Sequence, residues 1–348
     1  MHSGACFSPA FRIVPLLFLS GLVGLGACTP SPRTLRAEVF ATGSTASLRA
    51  LAPLSGQVCW AGGAAGTVLR TTDGGATWLQ VGPVGSTLDF RSVVAWDERR
   101  AVVASAGQPA RILRTQDGGT SWETVHEEAD AAAFFDALAR EGDRLVLYGD
   151  PVGGALYVLG SPDGGTTWRR EVVSVAPLPG EAGFAASNSL LVLGPGDTVR
   201  VATGGRSGSR LLRREAPGAW AVQDLPLARG AESRGAFALA ADGSGGLVAV
   251  GGDHADPAAP GGTAAWSADD GRTWTGTSAG GYRSGLAFAA RLGTWLAVGP
   301  LGCSTSADGG RTWSASPLPG FHAVAVAADG SVWASGSDGR IARIHAMQ

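Results

Sequence analysis

The sequence contains no lysine. All 27 basic residues are arginines and stand against 29 acids, a formal charge of −2. A positive excess is therefore absent, and net charge gives no support to a polyanion such as nucleic acid as partner. Only 16% of residues are charged, and there are three Tyr, five His and four Cys. The chain has no Gly-x-Gly-x-x-Gly opening a helix, no P-loop, no His-Glu-x-x-His and no Gly-x-Ser-x-Gly elbow. Nucleotide binding, zinc proteolysis and α/β-hydrolase chemistry are without a motif to carry them.

What is abundant is glycine, 54 residues, with 19 Pro, 45% apolar residues and 11 Trp. Breakers at that density disfavour a helical bundle, while the apolar content disfavours disorder. The first segment reads as an address. Arg12 precedes an apolar run, Ile13 to Leu19, that continues to Leu25-Gly26-Ala27-Cys28 and is too short to span a bilayer. Leu25-Gly26-Ala27-Cys28 resembles the lipobox of bacterial lipoproteins. The resemblance implies a signal peptide over 1–27, lipidation at Cys28, a tether over 28–34 and an envelope location, outer membrane facing the periplasm. Cys6 then leaves with the signal, and Cys59 and Cys303 remain, for which one bridge is permitted but not implied.

Self-comparison gives the organising feature. Thr71-Thr72-Asp73-Gly74-Gly75-Ala76-Thr77-Trp78 recurs as Thr115 to Trp122, Ser161 to Trp168, Ser267 to Trp274 and Ser306 to Trp313. A worn copy runs from Glu215 to Trp220. The spacing of 39 to 54 residues between successive Trp matches a four-stranded propeller blade. Three short apolar strands precede each box and one follows it. Glu127 to Arg140 has helical propensity, but the repeat register places a strand at Phe134 to Leu138. After the last box three strands remain without a fourth, and Leu35 to Phe40 is free to supply it. The sequence therefore predicts an all-β, seven-bladed β-propeller over 35–346. Its blades are four-stranded and antiparallel, and the N-terminal strand closes the ring by joining the last blade.

The Ser/Thr-x-Asp-x-Gly-x-Thr/Ser-Trp pattern resembles the Asp-box, or BNR, repeat. With its glycine-rich lead-in the chain most resembles propellers akin to the photosystem II stability and assembly factor, and sialidases more distantly. The boxes read as structural. Asp73, Asp117, Asp163, Asp269 and Asp308 are placed to accept backbone N–H groups across a turn, and the glycine at the fifth position supplies a positive φ. Trp78, Trp122, Trp168, Trp274 and Trp313 then pack on the neighbouring sheet. No stretch alternates acids as a calcium loop does, and no metal or cofactor is expected.

Function is expected on the opposite face. The register puts Arg49, Arg91, Asp136, Asn188, Arg234, Arg283 and His322 at the starts of the innermost strands. Loops between second and third strands add Asp150, Arg206, Asp253 and His254. Gly251 to Asp256, with three possible metal ligands, reads as a solvated loop. Two functions fit this mouth. One is a non-catalytic module in which arginine forks grip a carboxylate, a sugar or a segment of an envelope protein, with Arg91 and Arg283 as the leading pair. The other follows from the sialidase resemblance, which implies an arginine cluster, a Tyr nucleophile paired with Glu, and an Asp acid/base. Tyr282, Glu181 and Asp136 are the candidates for it. Against this reading, no Phe-Arg-Ile-Pro string precedes the first blade. A monomer is expected.

Overall fold

The computed structural model describes Met1, His2, Gly4 and Thr34–Met347. The expected signal segment, Cys28 and most of the tether lie outside the described residues. The architecture below is that of the compact unit Ser31–Gln348.

This unit is all-β, apart from one short 3-10 turn at Ala290–Leu292. Five sheets are four-stranded and antiparallel, as in Asp89–Ala95, Ala101–Ala106, Ala110–Thr115 and Glu123–Glu128. The innermost strands touch in a closed cycle. Leu48–Pro53 lies against Asp89–Ala95, then come Phe135–Glu141, Leu191–Leu193, Arg234–Ala241, Gly285–Ala289 and Ala323–Val326, which returns to Leu48–Pro53. Second strands such as Cys59–Gly63, Thr294–Gly299 and Val332–Ser335 are covered on both faces. Cys59–Gly63, for instance, is buried at every residue, so these strands read as continuous apolar runs without alternation. The fold is a β-propeller. The stretch with helical propensity ends Glu123–Glu128, turns near Asp130–Ala132 and starts Phe135–Glu141, because sheet pairing outweighs a propensity difference of roughly 0.5 kcal/mol per residue.

Tryptophans pin three of the sheets to the next. Trp60 Nε1 donates to the Asp97 carbonyl at 3.0 Å, Trp96 to Gly142 at 2.9 Å and Trp333 to Ser55 at 3.2 Å. The chain ends meet in one sheet. Leu35–Phe40 pairs with Ile341–Ala346, from Leu35 opposite Ala346 to Phe40 opposite Ile341.

The sixth sheet has nine strands and departs from the simple repeat. Two halves join through the single bridge between Gly204 and Gly235. A Cβ on Gly204 would fall 2.6 Å from the Gly235 Cα, so only paired glycines let these strands touch. Its inner strand is also split. Glu181–Ala182 and Leu191–Leu193 pair with opposite ends of Val199–Gly205, which leaves residues 183–190 as an unpaired excursion. The worn box is a plain hairpin here, with Ala216 opposite Ala219 and Gly218 at φ 74°.

The five intact boxes share one bonding scheme. In the first, Thr71 Oγ1 donates to Asp73 Oδ1 at 2.9 Å and accepts the Gly75 N–H at 3.0 Å. Asp73 also accepts the Thr77 N–H at 2.9 Å and its hydroxyl at 2.6 Å. The fifth-position glycines have φ between 80° and 94°. A Cβ there would also meet a neighbouring element, at 2.5 Å from the Val81 carbonyl of the preceding sheet for Gly119 and 2.6 Å from Leu211 in the other half of the nine-stranded sheet for Gly271.

Candidate functional site

Where the inner strands converge lies a cavity of about 440 Å³, within the size range of small-molecule sites. Arg49, Arg91 and His322 form one flank of it, Asp150 and Phe134 another, and Phe184, Phe237 and Tyr282 a third.

The positive flank is built at strand starts. Arg91 is committed on one side, donating Nε–H to Asp89 at 2.7 Å and Nη1 to the Ala185 carbonyl at 3.4 Å. Arg49 is half-buried and has no hydrogen-bond or ion-pair partner among the described residues. Burial, then the charge of Arg91, lowers its pKa. Burial also pushes His322 down to about 4, with Arg49, Arg340 and Arg91 adding to the effect, so His322 is neutral at pH 7.

Other arginines of the expected rim are placed elsewhere. Arg283 is 6% exposed and donates to the carbonyls of Tyr282 and Gly280 and to the Ser304 hydroxyl at 2.7 Å, which locks it inside its own sheet. Arg234 pairs with Asp253 at 2.8 Å, and that guanidinium holds Asp253 down near 2. Arg206 is exposed, pairs with Glu232 and does not line the cavity. Asn188 sits in the left-handed region at φ 61° and stitches two neighbouring inner strands. Its Oδ1 accepts the Leu138 N–H at 2.8 Å and its Nδ2 donates to the Val93 carbonyl at 3.2 Å. The loop at Asp253 and His254 contributes His254 alone to the cavity.

Tyr282 lines the cavity, with its ring edge-on to Phe237 at 4.7 Å. Burial raises the pKa of its phenol. Glu181 is not beside it. That carboxylate is buried in a separate network, accepting from Arg210 Nε at 2.9 Å, Thr203 Oγ1 at 2.6 Å and the Leu178 N–H at 2.8 Å. Asp136 does not line the cavity either. It has no exposure and lies behind Asp150 and Gly183, and burial followed by the Asp150 charge raises its pKa well above the carboxylate range. Phe134, Phe184 and Phe237 are cavity residues that the repeat register does not announce. Phe184 belongs to the unpaired excursion and stacks on Phe237 at 3.8 Å.

Cys59 and Cys303 are both free and buried, in separate clusters with Trp333 and Phe321 respectively. Among the described residues no group of three or more His, Cys, Asp or Glu is placed to hold a metal, and no helix is long and apolar enough to cross a membrane.

No protein-family model and no curated protein matches the sequence. Solved structures do. YCF48 bound to D1 peptide superposes with a TM-score of 0.65 at 19% identity, covering 92% of this chain and 100% of that one. YCF48 from Cyanidioschyzon merolae gives 0.60 at 18%, covering 90% and 98%. The GH74 xyloglucanase from Xanthomonas campestris gives 0.60 at 16%, covering 89% of this chain and 53% of that one. At these identities the likeness is one of fold.

Proposed function

We propose that the chain is a seven-bladed Asp-box propeller that binds a carboxylate-bearing ligand at Arg49 and Arg91 and turns nothing over. The seven-blade reading takes the nine-stranded sheet as two blades fused at Gly204 and Gly235. The observation that carries the functional reading is Arg49. It is the cavity's guanidinium with no internal acceptor, so its donors are available to a ligand, where a charge-assisted hydrogen bond is worth roughly 1.5–3 kcal/mol. Arg91 keeps part of its fork free, whereas Arg283 is spent on its own sheet. The glycosidase alternative needs Tyr282 against Glu181, and Glu181 is saturated by Arg210, Thr203 and Leu178.

YCF48, a neighbour in fold, was solved with a peptide, which favours a peptide segment as the ligand here. Lipidation at Cys28 would place this module at the envelope surface, near such segments. Changing Cys28 to Ser should leave an unprocessed precursor or release the protein, and mass spectrometry that finds no acylated Cys28 in the wild type would refute the anchor. The binding reading is tested by calorimetry with N-acetyl-Ala-Phe and its C-terminal amide. The acid should bind and the amide should not, and Arg49→Gln should weaken the acid about tenfold or more. Equal binding of acid and amide, or indifference to Arg49→Gln, would defeat it.

A further inference from the structure

Besides the arginines the cavity is lined by an acidic group that anion binding leaves unexplained. Asp150 lines the cavity and accepts the Gly183 N–H at 2.9 Å. Behind it Asp136 is fully buried, and neither of its carboxyl oxygens has a hydrogen-bond partner of normal geometry. The chain passes so close to this carboxyl that a Cβ on Gly183 would fall 2.3 Å from Asp136 Oδ2. The groups around the pair are the Tyr148 phenol, also buried without a partner, and Arg91, whose charge reaches Asp136. The two carboxyls lie against each other, and charging both without a dedicated cation is costly.

The charges around the cavity sum to a neutral but bipolar site. Arg49 and Arg91 stand on one flank, with Asp89 neutralising one of them. Asp150 stands on another. Burial pushes Asp150 up to about 6, so at neutral pH it carries most of one negative charge, while burial and that charge both disfavour ionisation of Asp136. A simple anion would satisfy one pole and leave the other facing it.

We propose that Asp150, backed by Asp136, is a cation subsite, and that the cavity selects zwitterions of amino-acid or dipeptide size. The carboxylate lies at Arg49, the ammonium at Asp150 and the apolar body against Phe184. This rests on the cavity being the ligand site and on Arg49 holding the carboxylate. The ammonium takes up the Asp150 charge, and the half-buried Phe184 ring, continuous with Phe237 and Tyr282, supplies the apolar contact.

The test adds free Ala-Phe to the acetylated and amidated dipeptides, titrated into the purified full-length chain by calorimetry. Free Ala-Phe should bind about fivefold or more tighter than N-acetyl-Ala-Phe. Asp150→Asn retains an acceptor for the Gly183 N–H and should remove that advantage, bringing Ala-Phe to the affinity of N-acetyl-Ala-Phe or below it. A second measurement needs no variant. Moving the wild type from about pH 7 to about pH 5 leaves both charges of the dipeptide in place but protonates Asp150, and should abolish the preference; Arg49, Arg91, His254 and His322 are the other ionisable side chains with Tyr282 around the cavity. If N-acetyl-Ala-Phe binds through Arg49 and Ala-Phe binds no tighter, the cation subsite is wrong and the carboxylate anchor stands. If neither depends on Arg49, the anchor itself is wrong. If none of the three peptides binds, both are wrong.

Discussion

At the scale of single residues, the chain carries two kinds of aspartate that respond to pH in opposite senses. Asp73 and Asp117 accept hydroxyl and backbone donors from Thr77 and Ser121, which hold both near 2. A carboxyl depressed in the folded state contributes stability above its ordinary value, and that contribution is lost as pH falls from about 4 to about 2. Asp150 is raised to about 6, so its contribution is complete below about 4 and is lost as pH rises through about 6, and Asp136, raised by burial and by the Asp150 charge, acts in the same sense. Asp136→Asn removes one acid and can donate to Asp150. It should match the wild type in melting temperature near pH 4 and exceed it by roughly 2 °C or more near pH 8. A thermal melt series over that range checks it, and coincident curves at the alkaline end would refute it.

At the scale of the element, the box is a side-chain scaffold for a turn that backbone bonds alone leave open. Thr115 is 2% exposed, and its hydroxyl both donates to Asp117 and accepts the Gly119 N–H at 2.9 Å. Thr115→Val keeps the shape and deletes both bonds, for an expected loss of roughly 1–2 kcal/mol in urea unfolding with dipeptide binding unaffected. An unchanged midpoint would contradict this account of the turn. The closing strand is the other decisive element. Leu35 is 2% exposed within the last sheet's core, and Phe40 sits 5.6 Å from Trp333. A chain beginning at Ser44 exposes the edge of Ile341–Ala346, and should melt earlier and aggregate on heating. Melting like the parent would show that the strand is dispensable.

At the scale of the whole molecule, a cycle of sheets shares its load among interfaces instead of one core. Eight hydrophobic clusters lie between or within sheets, and several draw members from two neighbours, as where Trp60 and Val68 meet Phe90 and Val103. Among the described residues this packing stands without a disulfide. Cys59 and Cys303 reside in different clusters, and burial pushes Cys303 up to about 12, which keeps its thiol protonated. Reductant should therefore leave the melting temperature unchanged, and a drop under dithiothreitol would reveal a bridge.

The repeat by itself determined a propeller of four-stranded antiparallel sheets, apart from the nine-stranded one, because the turn chemistry is local. Thr71, Asp73, Gly75 and Thr77 bond within seven residues, and their recurrence is visible without any tertiary contact. The strand order followed from that register, as did the pairing of Leu35–Phe40 with the C-terminal strand. The site was legible only in part. Arg49, Arg91 and His322 reach the cavity because register fixes where a strand begins, Asp150 and His254 because it fixes which loops open there, and Tyr282 follows only from the sialidase resemblance. Register does not fix where a long side chain turns, and that was decided in three dimensions. Arg283 folded back onto Ser304, Arg234 onto Asp253 and Glu181 onto Arg210, each because the nearest unsatisfied partner lay inside the protein. Phe184 and the Asp136–Asp150 pair depend on the break in the inner strand at residues 183–190. That segment of small residues has no strand alternation to read, and only packing against neighbouring sheets gives it a path.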